Sequence, residues 1–259
     1  MLPRNLRGWT LIELTVVLIV LSILFAVLAP VVGRYAHEAR RIRARKDVRT
    51  IGAAVWMHLA ETGEPMFLQV GSGGGNQPPD RNSATRTNRM GMLVGDGDIP
   101  MAFSTDPQFT SWTAHPTPGP GSADPENVAG GMPVTDFLEN HIVTNRPFGD
   151  PANRYRTPSD MVNDNPDRLW ARDESGGLNS EFSWRGPYLG GPIGPDPWGN
   201  RYAVNVRYLD PGANVAGPLA GYTADVIVLS AGPNGVVETP FEVEGNTPGG
   251  DDIIYILGP

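Results

Sequence analysis

Few residues of this 259-residue chain are spaced for chemistry. The four histidines, His37, His58, His115 and His141, form no metal-spaced pair, and no G-x-S-x-G nucleophile elbow is present. Gly71 to Gly75 lacks the Lys-Ser/Thr ending of a phosphate loop and reads as a linker. Cysteine is absent, which excludes disulfides, zinc thiolates and cysteine nucleophiles. Carboxylates are plentiful, but no catalytic pair is fixed by spacing, so the sequence points away from an enzyme. Two acidic features stand out. Glu13 sits alone at the edge of a long apolar run. Asn234, Glu238, Glu242, Glu244, Asp251 and Asp252 crowd the long connection around 231–252 with no basic residue to balance them. Such a loop is either simply solvated or holds a hard cation. Calcium takes six to eight oxygens from carboxylates, amides and backbone carbonyls, and tolerates irregular geometry.

The element that positions Glu13 is the clearest in the chain. Leu14 to Gly33 carries no charge and has only Thr15 and Ser22 as polar side chains. At about 1.5 Å per residue, twenty such residues span the roughly 30 Å hydrocarbon core of a bilayer. A secretory signal would have a shorter apolar region and a small-residue cleavage site. Here the polar leader is MLPRNLRG, residues 1–8. A charge within a membrane helix costs roughly 2.5–3.5 kcal/mol at its centre and less toward its end, so Glu13 either has a partner or reaches out to the headgroups. Beyond Gly33 the helical pattern continues: Val48, Ile51, Val55 and Leu59 recur at helical spacing, with Gly63 as a cap and Pro65 as a stop. The whole helix from Trp9 would be about 80 Å long.

Charge is divided unevenly. Residues 1–49 hold nine basic groups against Glu13, Glu38 and Asp47, a net of +6, which leaves −14 on the rest of a chain whose total is −8. An acidic body argues against nucleic-acid binding. The cluster Arg34, Arg40, Arg41, Arg43, Arg45, Lys46 and Arg49 suits a solvated or headgroup-facing helix surface. Taken alone, the positive-inside rule would place the body in the cytoplasm, because only Arg4 and Arg7 precede the apolar run.

Gly8-Trp9-Thr10-Leu11-Ile12-Glu13-Leu14 resembles the processing motif of type IV prepilins, with a glycine before the cut and a glutamate fifth in the mature chain. Trp9 departs from the usual phenylalanine or methionine, and Pro30 falls where many members carry a proline. The resemblance implies cleavage by a prepilin peptidase between Gly8 and Trp9 and N-methylation of Trp9. Subunits then move from membrane lipid into a helical filament of like copies through an inner-membrane assembly platform. It also implies that Glu13 pairs with the Trp9 amine of a neighbouring copy. That route puts the body in the periplasm or outside the cell, against the charge rule.

The body divides into 34–65, continuing the helix, a breaker-rich stretch over 66–183, and 184–259. The middle stretch reads as a loop-rich insert, with Asp96-Gly97-Asp98 as a turn or a weak cation site. Tyr202 to Tyr208 alternates as a strand, and Ala224–Ser230 and Asp252–Leu257 are two further apolar runs. The expected fold is α+β, with the long helix packed on a small antiparallel sheet. Trp184-Arg185-Gly186-Pro187-Tyr188-Leu189, Asp196-Pro197-Trp198-Gly199-Asn200-Arg201-Tyr202 and Ser230-Ala231-Gly232-Pro233-Asn234-Gly235 resemble signatures of the major pseudopilin of type II secretion. Gly250-Asp251-Asp252-Ile253 resembles its approach to the last strand. Trp184, Tyr188 and Trp198 are expected to fill space under these turns. The resemblance implies a calcium site formed by carbonyls of Leu229 and Ser230 and side chains of Asn234, Asp251 and Asp252. Asn234 stands where the family has aspartate, so the site would be weaker. The alternative function is a filament-displayed adhesin whose specificity lies in 66–183, where Phe103, Phe109, Trp112 and Trp170 suit either partner contacts or ordinary packing.

Overall fold

The computed structural model describes residues 9–62, 90–113, 135–149, 155, 157, 183–209, 225–242, 245 and 247–257. Gly8, Gly63, Pro65, Gly71 to Gly75, His115 and Trp170 lie outside them. The chain divides into two compact units, residues 1–42 and 43–259.

A single helix, α1 (Leu11–Thr62), runs for 52 residues and continues through Pro30. Its first part is long and apolar enough to cross a membrane, and no side chain of that window is buried. From Leu11 to Val32 every Leu, Ile, Val and Phe is exposed. Farther along, the helix becomes amphipathic. Ala44, Val48, Ile51, Val55, His58 and Thr62 are buried at three- and four-residue steps, one stripe turned onto a sheet.

That sheet has five strands in the order β3-β1-β4-β5-β7, with β1 (Met92–Val94), β3 (Thr135–Phe137), β4 (Ala203–Val204), β5 (Ile227–Ser230) and β7 (Ile253–Ile256). It is mixed rather than purely antiparallel: β1 pairs in parallel with β3, while β1–β4, β4–β5 and β5–β7 are antiparallel. Side-chain alternation gives it two covered faces. Leu93, Val204 and Val228 meet the α1 stripe on one face. On the other, Met92, Val94, Ala203, Ile227 and Leu229 pack with Trp112, Phe241 and Val237. Trp112 belongs to α2 (Pro107–Thr113), and Val237 to β6 (Val236–Val237), which pairs in parallel with β2 (Met101–Ala102). A short α3 (Leu138–Ile142) follows β3 directly. The layout is α+β and compatible with pilin-like architecture.

Two elements differ from the sequence reading. The stretch 66–183, read as a loop-rich insert, supplies β1 and β3, and β1 lies between β3 and β4 within the sheet. Three-residue strands are too short to show a period. The expected strand over 202–208 stops at Val204, and Val206–Leu209 is a 3₁₀ turn. Asn205 explains the stop. Its fully buried amide donates to the carbonyls of Asp225 (3.0 Å) and Phe241 (2.8 Å) and accepts from the Ile227 N–H (2.6 Å). A side chain thus takes over ladder bonds and frees the backbone to turn.

Because β1 is an interior strand, Leu93→Ala should cost about 2–5 kcal/mol of stability. Denaturant unfolding of the purified chain in detergent measures this. A loss below about 0.5 kcal/mol would show that β1 is peripheral.

Candidate functional site: helix start and acidic loop

At the start of α1, Thr10 and Glu13 form a reciprocal cap. The Glu13 N–H donates to Thr10 Oγ1 (3.3 Å), and Glu13 Oε2 accepts from both the Thr10 N–H (2.8 Å) and its hydroxyl (2.9 Å). This is a capping box, which satisfies donors that a helix start leaves unpaired. Thr-x-x-Glu at 10–13 spells it in the sequence, and the reading of Glu13 as a charge awaiting a distant partner passed over it. Both bonds fall on Oε2, which leaves Oε1 open to a donor from another chain. Trp9, just ahead, is exposed.

The acidic loop is held by a buried turn. Asp196 Oδ1 accepts from the N–H groups of Trp198 and Asn200 (both 2.9 Å), and its Oδ2 accepts from the Ser230 hydroxyl (2.7 Å). Gly199 at φ +101° lets this Asp-Pro-Trp-Gly-Asn turn close. Asn200 then donates to the Gly232 carbonyl (3.4 Å), fastening the turn to the loop. Trp184, Tyr188 and Trp198 pack partly buried against the helix-side core, as space fillers would.

Within the loop, Glu238 is the clamp. Its carboxylate accepts from the Asn234 amide (3.0 Å) and the Asp251 N–H (3.2 Å). The N–H groups of Glu238 and Thr239 in turn donate to Asp252 Oδ2 (2.9 and 2.6 Å). Gly250, at φ +46°, sits where a Cβ would strike the Glu238 carboxylate. Asn234, Glu238, Asp251 and Asp252 are therefore brought together. Leu229 and Ser230 are neighbours on β5, with the Leu229 side chain in the core and the Ser230 hydroxyl committed to Asp196. Asn234 Oδ1 already accepts from the Val236 N–H (2.7 Å). Asp96-Gly97 is a bend, with Gly97 at φ +125°.

The fit of a cation to this loop can be judged from its buried oxygens. Asp251 Oδ1 and Asp252 Oδ1 are buried and accept no hydrogen bond among the described residues. Buried, unpaired carboxylate oxygens are costly, and a hard cation satisfies them. No three His, Asp or Glu side chains converge on one point among the described residues, so an ion here would draw most of its oxygens from carbonyls and water. Oxygen donors alone suit a hard cation, and the two carboxylates give such a site little charge. Burial pushes the Asp252 carboxyl up to about 6, against the pull of its Thr239 and Glu238 donors. Burial likewise raises Glu242 to about 7, with Arg207 opposing.

A second polar cluster was invisible in the sequence. His141 Nε2 meets Asp136 Oδ2 at 2.9 Å, and its Nδ1 meets the Tyr155 hydroxyl at 2.6 Å. The ring of His58 packs edge-on to Tyr155 at 4.5 Å. Burial holds His58 well below the usual imidazole range, with His141 nearby adding to the effect, so it is neutral. An Asp–His pair can serve in proton transfer, but Asp136, His141 and Tyr155 are all buried. The cluster ties α3 to α1. Compared with family profiles, curated proteins and solved structures, the chain matches none.

The raised acids fix the sign of a pH effect. In the unfolded chain these groups titrate near 4. Their protonated forms contribute stability that is fully present below that value. It is lost as pH rises through about 6 for Asp252 and about 7 for Glu242. In chelator, stability should therefore fall between pH 4 and 7, and Asp252→Asn should flatten the part of the fall between about 4 and 6. Melting curves across this range check it; an unchanged slope in Asp252→Asn would exclude Asp252 as the source.

Proposed function

We propose that the chain is a structural filament subunit of the type IV pilin-like class, nearest to the major pseudopilin of type II secretion, and not an enzyme. The observation that carries this is α1: an uncovered apolar first part, with Glu13 in the prepilin register, continues without a break into a stripe buried on a sheet. In this reading Trp9 becomes the methylated amino terminus after cleavage behind Gly8. The subunit waits as a single-pass protein of the bacterial inner membrane with its body in the periplasm or outside. It is then assembled, by the inner-membrane platform, with further copies of itself. Its Glu13 carboxylate keeps its Thr10 cap on Oε2 and offers Oε1 to the Trp9 amine of a neighbour. A carboxylate that is already oriented by its own helix start loses less freedom on pairing. The acidic loop holds a structural calcium ion, with Asp251 and Asp252 as the side-chain ligands best supported by their unpaired buried oxygens.

The adhesin alternative loses its simplest form, because a stretch that contributes β1 and β3 cannot be a separable displayed module. Removing 66–183 would destroy the sheet and would not separate the two functions.

Processing and pairing are tested together. Intact mass of membrane-extracted protein should correspond to a chain starting at a methylated Trp9. Glu13→Gln keeps an oxygen for Thr10 but loses the charge. It should insert normally and lose most filament yield, the unpaired amine costing about 3–5 kcal/mol if fully buried. A mature chain that still begins at Met1, or a Glu13→Gln variant that assembles fully, would overturn the reading.

Calcium is tested by melting the full chain in detergent. At 100 times its dissociation constant the ion adds about 2.7 kcal/mol, a rise of about 5–10 °C. Asp251→Ala should abolish the rise. Identical melting temperatures in chelator and millimolar calcium would rule out the site.

A further inference from the structure

Two exposed patches of opposite chemistry lie on opposite sides of the sheet. One is the outer face of α1 within the body: Arg45, Arg49, Ala53 and Trp56 follow one another at helical steps with Met57 beside them. Trp56 and Met57 are 46% and 51% exposed, unusual for side chains of their size on a helix that already buries its other face. The basic end of this stripe is unopposed, because the nearest acid, Asp47, is held by Arg43 (3.5 Å) and the Tyr202 hydroxyl (3.0 Å). The other patch lies at β2. Ile99, Met101 and Phe103 alternate along the chain and are 39%, 65% and 62% exposed, so one side of the segment is an uncovered apolar row. The exposed Asp96, Asp98 and Asp106 flank it, and residues 90–113 contain no basic group.

The layers keep the two patches apart. The α1 stripe packs on the sheet face of Leu93, Val204 and Val228, whereas β2 pairs with β6, whose Val237 packs on the opposite face. A body cannot cover its β2 row with its own helix. We propose that the β2 row of one copy docks on the outer α1 face of the next. Met101 and Phe103 would meet Trp56 and Met57, while Asp96 and Asp98 face Arg45 and Arg49. Apolar centres with complementary charged rims are how specific protein interfaces are built. Because the two patches differ, the contact is head-to-tail. It leaves one free patch at each end, so copies add in series, in a filament wherever the rotation between them does not close a ring, and not as a closed isologous dimer. This rests on the filament reading and assigns it a body-to-body contact independent of Glu13.

The absence of native cysteine makes the test clean. A chain carrying both Ala53→Cys and Met101→Cys, treated in membranes with a short bis-maleimide, should give a ladder of dimers, trimers and higher species. Each single variant should stay monomeric, and a mixture of the two should stop at dimers. Arg49→Asp should reduce the ladder at least about fivefold, and Asp98→Arg added to it should restore it. Filaments sedimented from the same cells report the filament reading separately. Filaments without a ladder overturn this contact and leave that reading standing, while loss of both overturns both. A single variant that cross-links to itself, or a Met101→Cys chain captured only by a different protein, also overturns the proposal.

Discussion

One helix carries two patterns, apolar all round and then apolar along one stripe, and the rest of the structure follows from that. In water, leaving the Leu, Ile, Val and Phe side chains of residues 11–32 uncovered would cost on the order of tens of kcal/mol, at about 1.5–3 kcal/mol each. None of these side chains is buried, and the segment is long and apolar enough to cross a membrane, while the same helix past Arg43 turns one stripe onto the sheet. The change is made by pattern alone. A helix apolar all round becomes one with a single stripe, Ala44 to Thr62, without a break in its backbone. Gly52 lies on that stripe because any Cβ would strike the Tyr255 ring on β7, so helix and sheet approach closely there.

With so much of the apolar sequence committed to the helix, the body builds its core from short strands and many turns. The five strands of its main sheet have two to four residues each. Strands this short bring few ladder bonds, and buried polar side chains supply what is missing. Asn205 ends β4 and feeds β5, and Asp196 closes one turn while anchoring Ser230. Asp252 gathers the N–H groups of Glu238 and Thr239, just past β6. Each is a fully or nearly buried group whose partners come from another segment. Removing one strands the others, which is the high-stakes character of buried polar networks.

The acidic loop is the place where this economy is incomplete. Asp252 satisfies one oxygen and leaves the other buried and unpaired among the described residues, Asp251 Oδ1 is likewise buried and unpaired there, and burial has raised the Asp252 carboxyl. Natural proteins tolerate such groups where a proton or an ion completes them. The loop is thus the one part of this polar network whose buried acids lack a full set of partners among the described residues.

What the sequence by itself determined is whatever is periodic or local. The uncharged run from Leu14 to Gly33, the helical stripe through Val48 and Val55, the apolar runs that became β5 and β7, and the turn residues around Asp196 and Gly232 all declare themselves within a few residues. The capping box of Thr10 and Glu13 is equally local, spelled by the Thr-x-x-Glu spacing. The tertiary structure alone decided what depends on distant partners. That β1 and β3 belong to the sheet is not visible in three-residue strands, since their pairing is chosen by neighbours forty residues or more away. That Asn205 ends a strand depends on carbonyls at Asp225 and Phe241. His58, His141, Asp136 and Tyr155 are unremarkable in sequence and become one buried cluster only when α3 closes on α1. The same holds for the two exposed patches: residue types set their chemistry, but only the sheet, by burying one side of each element, determines which side is left for another molecule.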